Sequence, residues 1–363
     1  MATETTNHFD SVGDISQWLN QFEHPLLSAE WADVPHFVSV SAEGVIIITI
    51  PFAASELAQQ LRQWIAEQQQ QGIVNTALTF DVRCRVATLA VVDKQPLKGV
   101  KNIIVVSSAK GGVGKSTTSV NLALGLQHQG AKVGLLDADI YGPSVPMMLG
   151  TMDEKPQSPD GKMMSPIEAH GLYTNSVGYL VPAESATIWR GPMASKALAQ
   201  IISETWWPDL DYLVIDMPPG TGDIQLTLSQ QIPVTGAIVV TTPQDLALAD
   251  AIKGISMFNK VDVPVLGIVE NMSYHICSNC GHQEHIFGTG GAAKMAQDYA
   301  VPLLAQLPLD IKIREDIDNG TPTVISSPES EQAAAYIMLA ANIASRLYWQ
   351  GETVAEQITI RTM

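Results

Sequence analysis

The segment that most constrains this chain is Ser108-Ala109-Lys110-Gly111-Gly112-Val113-Gly114-Lys115-Ser116-Thr117. It follows an unbroken apolar run, Asn102-Ile103-Ile104-Val105-Val106-Ser107, that reads as a strand buried on both faces. It leads into residues 118–129, where Val120, Leu122, Ala123, Leu124 and Leu126 suit a buried helix stopped by Gly130. A glycine-rich turn between strand and helix offers backbone N–H groups and a helix N-terminus to an anion. Gly111, Gly112, Val113, Gly114 and Thr117 would form that cradle, with Lys115 meeting the β- and γ-phosphates and Ser116 ligating Mg²⁺. The first glycine of the usual G-x-x-x-x-G-K-[ST] spacing is replaced by Ala109, and a second lysine, Lys110, opens the loop. The strand–turn–helix context predicts a nucleotide site rather than a glycine turn with two surface lysines.

Further apolar runs follow at 133–137, 212–216, 236–241 and 265–269, separated by helical stretches. Near-continuous Val/Ile/Leu runs mark strands of a parallel sheet covered on both faces. Their alternation with helices predicts an α/β fold over residues 100–363: a doubly wound, mainly parallel sheet forming a P-loop NTPase domain. Ahead of it, residues 1–92 read as a small α+β domain. Its strands are expected over 38–41, 45–50 and 76–87. Its helix, over 55–71, places Leu57, Leu61, Trp64 and Ile65 on one face, with Ser55 as N-cap and Gly72 as stop. Residues 93–99 have linker composition.

Composition excludes several classes. A formal net charge of −17 argues against a nucleic-acid partner, because phosphate contacts need clustered Lys and Arg. Three cysteines in 363 residues make no disulfide scaffold. Residues 1–14 are polar, without the apolar core of an export signal. The longest uncharged apolar stretch near the C-terminus, 332–345, is about 14 residues against the roughly 20 needed to span a bilayer. The expectation is a cytoplasmic protein with no membrane partner.

In open parallel sheets, ligands sit beyond the carboxyl ends of the strands, and two acidic motifs fall at such ends. Asp137-Ala138-Asp139 closes the second run of the sheet; alone, it would read as an Asx turn. Asp216 closes the 212–216 run and enters Met217-Pro218-Pro219-Gly220-Thr221-Gly222-Asp223. An acid there is the carboxylate expected near the Mg²⁺ of a P-loop. The Pro-Pro-Gly-Thr-Gly turn can respond to the γ-phosphate. The three motifs in this order predict hydrolysis of a nucleoside triphosphate, not binding alone.

Lys110, the Asp137-Ala138-Asp139 turn and Asp216-Met217-Pro218-Pro219-Gly220 resemble the deviant Walker-A ATPases. That superfamily holds the Min and Par positioning ATPases, the nitrogenase iron protein and the Mrp/ApbC-type iron–sulfur cluster carriers. With Val269-Glu270-Asn271-Met272-Ser273 and Cys277-Ser278-Asn279-Cys280-Gly281, the chain is most similar to the carriers, from about residue 99 to 347. The resemblance implies slow, Mg²⁺-dependent ATP hydrolysis. It implies that Lys110 reaches across a nucleotide-sandwich homodimer to the partner's ATP, while Lys115 and Ser116 hold phosphate and Mg²⁺. Asp139 would position the attacking water, Asp216 support the Mg²⁺ shell, and Asn271 read the adenine edge just after the 265–269 strand. The N-terminal region resembles a degenerate version of the small domain preceding many such ATPases, without that domain's Asp-Pro-Glu segment or cysteine.

Cys277 and Cys280 form a C-x-x-C, which in other settings is a metal site, a redox pair or chance. Thioredoxin-like chemistry expects the pair at the start of a helix after the first strand, whereas here it sits in a polar loop. His275, His282 and His285 keep a Cys₂His₂ zinc site open, although Cys280 and His282 stand closer together than in zinc fingers. A cubane takes four thiolates, and two chains supply four. With the resemblance, this implies a [4Fe–4S] cluster bridged by Cys277 and Cys280 of two subunits. Cys84 reads as a small buried apolar residue. The implied function is an ATP-dependent carrier that takes a labile [4Fe–4S] cluster from a scaffold or donor protein to apo iron–sulfur proteins. The alternative, a Min/Par-type positioning or regulatory ATPase, would want a basic amphipathic C-terminal helix or a basic patch. Residues 329–363 carry little basic charge. An electron-transferring iron protein places its cluster cysteines far apart in sequence, not in one loop.

Overall fold

The computed structural model describes residue 9 and residues 11–180 and 191–354, with the side chains of 191 and 192 excepted. The readings made on residues 1–8, 10 and 355–363 lie outside the described residues. The first unit comprises helix α1 (Val12–Leu19), strands β1 (Val38–Val40) and β2 (Ile46–Ile50), helix α2 (Ser55–Gln70) and strand β3 (Phe80–Cys84). β2 pairs antiparallel with β1 and parallel with β3. Leu57, Ala58, Leu61 and Ile65 form the buried stripe of α2, and Trp64 beside them stacks on Trp18 at 4.8 Å. Gly72, at φ +74°, closes α2 as expected. Ser55 is not its cap. The N-cap position falls on Ala54, and the Ser55 hydroxyl instead donates to the Gln129 carbonyl at 2.9 Å.

The second unit opens with β4 (Val100–Ser107), α3 (Lys115–His128), β5 (Val133–Asp137), α4 (Val145–Met148), β6 (Ile167–Ala169), β7 (Leu172–Ser176) and α5 (Val177–Leu180). It continues with α6 (Gly191–Glu204), β8 (Leu210–Asp216), α7 (Asp223–Gln231), β9 (Gly236–Thr241), α8 (Asp245–Lys260), β10 (Val265–Ile276) and β11 (Gln283–Glu284). It ends with α9 (Gly291–Asp298), β12 (Leu303–Pro308), α10 (Ile311–Asp318), α11 (Thr323–Ser326) and α12 (Glu331–Gln350). The sheet runs β11-β10-β9-β4-β8-β5-β7-β6, with β12 also paired to β10. Only the marginal pairings of β6 and β11 are antiparallel among its described strands. This is the mainly parallel α/β sheet the apolar runs predict.

Two cores flank that sheet, and β4 shows why its sequence lacks alternation. Ile104 and Val106 point into one core with α3 and α12; Ile103 and Val105 point into the other with α6, α7 and α8. α3 and α12 pack so closely that a Cβ on Gly125 would stand 2.9 Å from both the Ala340 Cβ and the Tyr336 carbonyl. The first core continues without a break into the N-terminal unit, through Ile15, Trp18, Phe37, Ile48 and Leu61. The end of α12 is the joint. Trp349 stacks on Phe37 at 5.5 Å and donates its Nε1–H to the Leu26 carbonyl, which also accepts from the Ser345 hydroxyl at 2.7 Å. Within residues 93–99, the Lys94 ammonium donates to the carbonyls of Ser229 and Ile232 at the end of α7. No helix among the described residues is long and apolar enough to cross a membrane.

Candidate functional site

Residues 108–114 join β4 to the N-terminus of α3. Gly112 and Gly114 hold φ of +81° and +83°, a region that only glycine enters cheaply. Gly114 also has no room for a side chain, since a Cβ there would lie 2.0 Å from Asn271 Nδ2. Asn271 donates that amide to the Val113 carbonyl at 2.9 Å, tying the loop to β10. On the other side, the Ser108 carbonyl accepts from the Gly220 N–H at 2.8 Å, tying it to the turn after β8. Gln225 braces that turn, accepting from the Gly222 N–H and donating to the Pro218 carbonyl. Lys110, Gly111 and Gly112 are exposed, and Thr117 is half-buried in the first turn of α3.

Lys115 begins α3 and is buried among acids. Its ammonium lies 2.7 Å from Asp216 Oδ1 and 3.8 Å from Asp139 Oδ2, and donates to Ser116 Oγ at 3.2 Å. Asp216, fully buried, also accepts from the hydroxyls of Ser116 (2.6 Å) and Ser119 (2.7 Å). Asp137, equally buried, accepts from the Asp139 and Val145 N–H groups and from the Ser176 hydroxyl. Asp139 accepts from the Tyr141 and Gly142 N–H groups, both at 3.3 Å. Two carboxylates, those of Asp216 and Asp139, thus converge on one ammonium. Burial, and then the nearby charge of Asp216, push the Asp137 carboxyl up to about 7. Burial also raises Asp139, against the pull of Lys115.

The Asp137 shift has a consequence for stability. Unfolded, the carboxyl ionises near its ordinary 3.8; folded, it holds its proton to about 7. Its stabilising contribution is therefore complete below about pH 4 and lost as pH rises to about 7. Unfolding free energies measured in urea at pH 5 and pH 7.5 are expected to differ less for Asp137→Asn than for the native protein. An unchanged slope would locate the pH dependence elsewhere.

β10 runs beyond Val269 to Ile276, so Asn271 lies inside this strand and not just after it. Residues 277–282 then turn back into β11: the Cys277 N–H donates to the His282 carbonyl, and the Gly281 N–H to the Cys277 carbonyl, both at 2.9 Å. Cys280 is exposed and Cys277 half-buried at this hairpin tip. The N–H groups of Asn279 and Cys280, and then the Cys280 thiol, draw the Cys277 thiol below its ordinary value. This favours the thiolate, the form that binds metal. His275 and His285 each engage a backbone carbonyl through Nδ1, that of Leu309 and of Ser273 respectively. Among the described residues, no three or more His, Cys, Asp or Glu side chains gather as a metal set. Cys84 lies away in β3, its thiol raised chiefly by burial.

Sequence reasoning missed Ser119, Ser176 and Gln225. Ser119 follows Ser116 by one helical turn, a spacing that could have placed it on the same face; the other two carry no local signal. A cleft of about 400 Å³, lined by Leu26, Leu303, Arg346 and Trp349 among others, shares no residue with the site.

A parallel sheet whose central strand enters a glycine loop, a buried lysine and a hydroxyl facing strand-end carboxylates defines a P-loop NTPase. The family described as ParA-type NUBPL iron-transfer P-loop NTPases matches residues 99–344. The chain belongs to that family. The iron-sulfur cluster carrier protein of Haemophilus influenzae is 57% identical over 356 residues, covering 97% of this chain and 96% of its own length. That of Escherichia coli K12 is 57% identical over 349 residues, covering 95% of each. The mouse iron-sulfur cluster transfer protein NUBPL is 47% identical over 267 residues, 73% of this chain and 83% of its own. Among solved structures, an Archaeoglobus fulgidus nucleotide-binding protein in complex with ADP superposes with a TM-score of 0.57 at 36% identity, covering 65% of this chain and 92% of that one. The Pyrococcus furiosus cell division ATPase MinD shares the fold, with a TM-score of 0.50 at 24% identity, covering 67% and 98%.

Proposed function

We propose that this chain is an ATP-dependent carrier of a labile [4Fe–4S] cluster, which it receives from a scaffold or donor protein and passes to apo iron–sulfur proteins. The observation that carries this reading is the layout of β10. One strand presses Asn271 against the P-loop and ends in an exposed two-thiol hairpin. The names of the bacterial carriers and of mouse NUBPL support the same cargo. Because one chain presents two thiols at the hairpin, the cargo is held by Cys277 and Cys280 of two subunits in a homodimer.

For ATP, the N–H groups from Gly111 to Thr117 and the Lys115 ammonium receive the phosphates. The Ser116 hydroxyl and Asp216 carboxylate, hard oxygens in contact at 2.6 Å, suit Mg²⁺. That ion supplies charge neutralisation across the β- and γ-phosphates. Asp139 orients the attacking water, Lys110 reaches the partner subunit's nucleotide, and Asn271 meets the adenine edge. Residues 100–363 are the ATPase domain, 93–99 the linker and 1–92 an accessory domain braced by α12. The protein works in the cytoplasm, with neither nucleic acid nor membrane as partner.

Protein isolated without oxygen tests the reading. About four iron and four sulfide per dimer, lost on incubation with an apo-protein that gains activity, are expected. One zinc per monomer and no sulfide would overturn it.

A further inference from the structure

We propose that the kink in β10 between Glu270 and Tyr274 is the element through which the P-loop controls the cysteine hairpin, with Glu270 and Ser273 as its positioning residues. This rests on the reading of Cys277 and Cys280 as the cargo site. From Gly267 to Glu270 the strand keeps register with β9, pairing Ile268 to Val239 and Glu270 to Thr241. On its other side the register slips: Glu270 opposes Gln306 and Tyr274 opposes Pro308, so β10 spends more residues than β12 over the same span. Met272, in the middle of the slip, holds φ +56°, a left-handed backbone that a side-chain-bearing residue rarely adopts.

The kink separates two arms with different attachments. The N-terminal arm grips the nucleotide loop, through the Asn271 amide on the Val113 carbonyl and the close fit against Gly114. The C-terminal arm carries the hairpin. Its Ser273 carbonyl accepts from His285 Nδ1, and its Tyr274 carbonyl accepts from the Leu309 N–H.

Across the kink lies Glu270, a carboxylate with 1% exposure. One oxygen accepts from the Ser273 hydroxyl at 2.5 Å and from Gln306 Nε2 at 2.7 Å. The other accepts from the Ala292 N–H at 3.3 Å, in the first turn of α9. Gln306 Nε2 also donates to Ser273 Oγ at 3.1 Å. A buried acid held by neutral donors from β12, α9 and the far arm of its own strand fixes the angle between the two arms. A displacement of residues 113–114 when the bound phosphate changes is then passed to the hairpin as rotation of the C-terminal arm, instead of being absorbed at Met272.

The test follows alkylation of Cys277 and Cys280 by iodoacetamide in the reduced, cluster-free full chain, with Mg-ADP and with a non-hydrolysable Mg-ATP analogue. In the native protein the two nucleotides are expected to give rates about fivefold or more apart. Ser273→Ala leaves Glu270 two donors, so the rate with ADP and the nucleotide affinities should stay native while the difference falls below about twofold. Gln306→Ala should behave alike, and stands in should Ser273→Ala fail to fold. A native-sized response in a folded variant, or no response in the native protein at saturating nucleotide, overturns the proposal. The thiols are read here without cargo, so loss of the coupling leaves the iron and sulfide result intact. Conversely, zinc in place of iron would overturn the cargo reading whatever the alkylation shows.

Discussion

Lys115→Ala is expected to lower ATP turnover by several orders of magnitude, because holding and neutralising the phosphates is most of the catalysis in this class of site. The same ammonium is the cation facing Asp216 and Asp139. Removing it leaves buried carboxylates without a counter-charge, at a cost of about 3–5 kcal/mol in stability. Turnover and unfolding should therefore be measured together, in a variant whose folded fraction is known. Near-native turnover per folded molecule would remove Lys115 from the phosphate site. Lys110 gives the contrasting case. It is exposed in the loop, and its proposed role is in the partner's site. Lys110→Ala mixed with Asp139→Ala should regain part of the turnover that each lacks alone, since a mixed dimer contains one intact composite site. No recovery at any ratio would count against the sandwich arrangement.

The second large effect is expected at the hairpin. Cys277→Ser and Cys280→Ser should each bring iron and sulfide to background after anaerobic reconstitution and abolish delivery to an apo-protein. ATP turnover and thermal unfolding should remain native, because the turn at 277–282 begins six residues beyond Asn271, the β10 residue that bonds to the P-loop. Cys84→Ala should bind as much iron as the native chain, as its thiol sits in β3 of the other unit. Iron retained by Cys280→Ser would sink the assignment. So would a zinc ion held through His282 or His285 and indifferent to mutations that separate the subunits.

The parts of this molecule that were legible in sequence are those whose cause is local. The β4–loop–α3 passage, Asp137 and Asp139, and Asp216 all stand at ends of apolar runs, and each is found at the carboxyl edge of the sheet. The turn at Gly72 likewise needs only its own backbone. What escaped depends on partners distant in sequence. β7 reads Leu-Tyr-Thr-Asn-Ser, too polar for a strand with three consecutive buried residues. It is buried because the Thr174 hydroxyl meets Tyr179, Asn175 donates to Thr205, and Ser176 donates to Asp137. β10 seemed to stop at Val269 because Glu270 and Asn271 are polar, yet both are buried with partners on β12, α9 and the P-loop. Ser55 has the chemistry of a cap and is used otherwise, since the Gln129 carbonyl that takes its hydroxyl lies 74 residues away. Linker composition at 93–99 carries no information about the core shared by the residues before and after it.

The seating of α12 has a bearing on how the chain is made. The bond from Ser345 to Leu26 spans 319 residues, and α12 supplies the apolar face on which both α3 and the N-terminal unit lie. During synthesis, Phe37 and the α3 face around Gly125 leave the ribosome long before Trp349, or Tyr336 and Ala340, can cover them. At about 5–20 residues per second, these surfaces wait tens of seconds for their partner. The nucleotide helix and the small unit ahead of it are thus completed together, late and by the same element. Until α12 emerges, that apolar surface lacks the face that covers it in the folded chain.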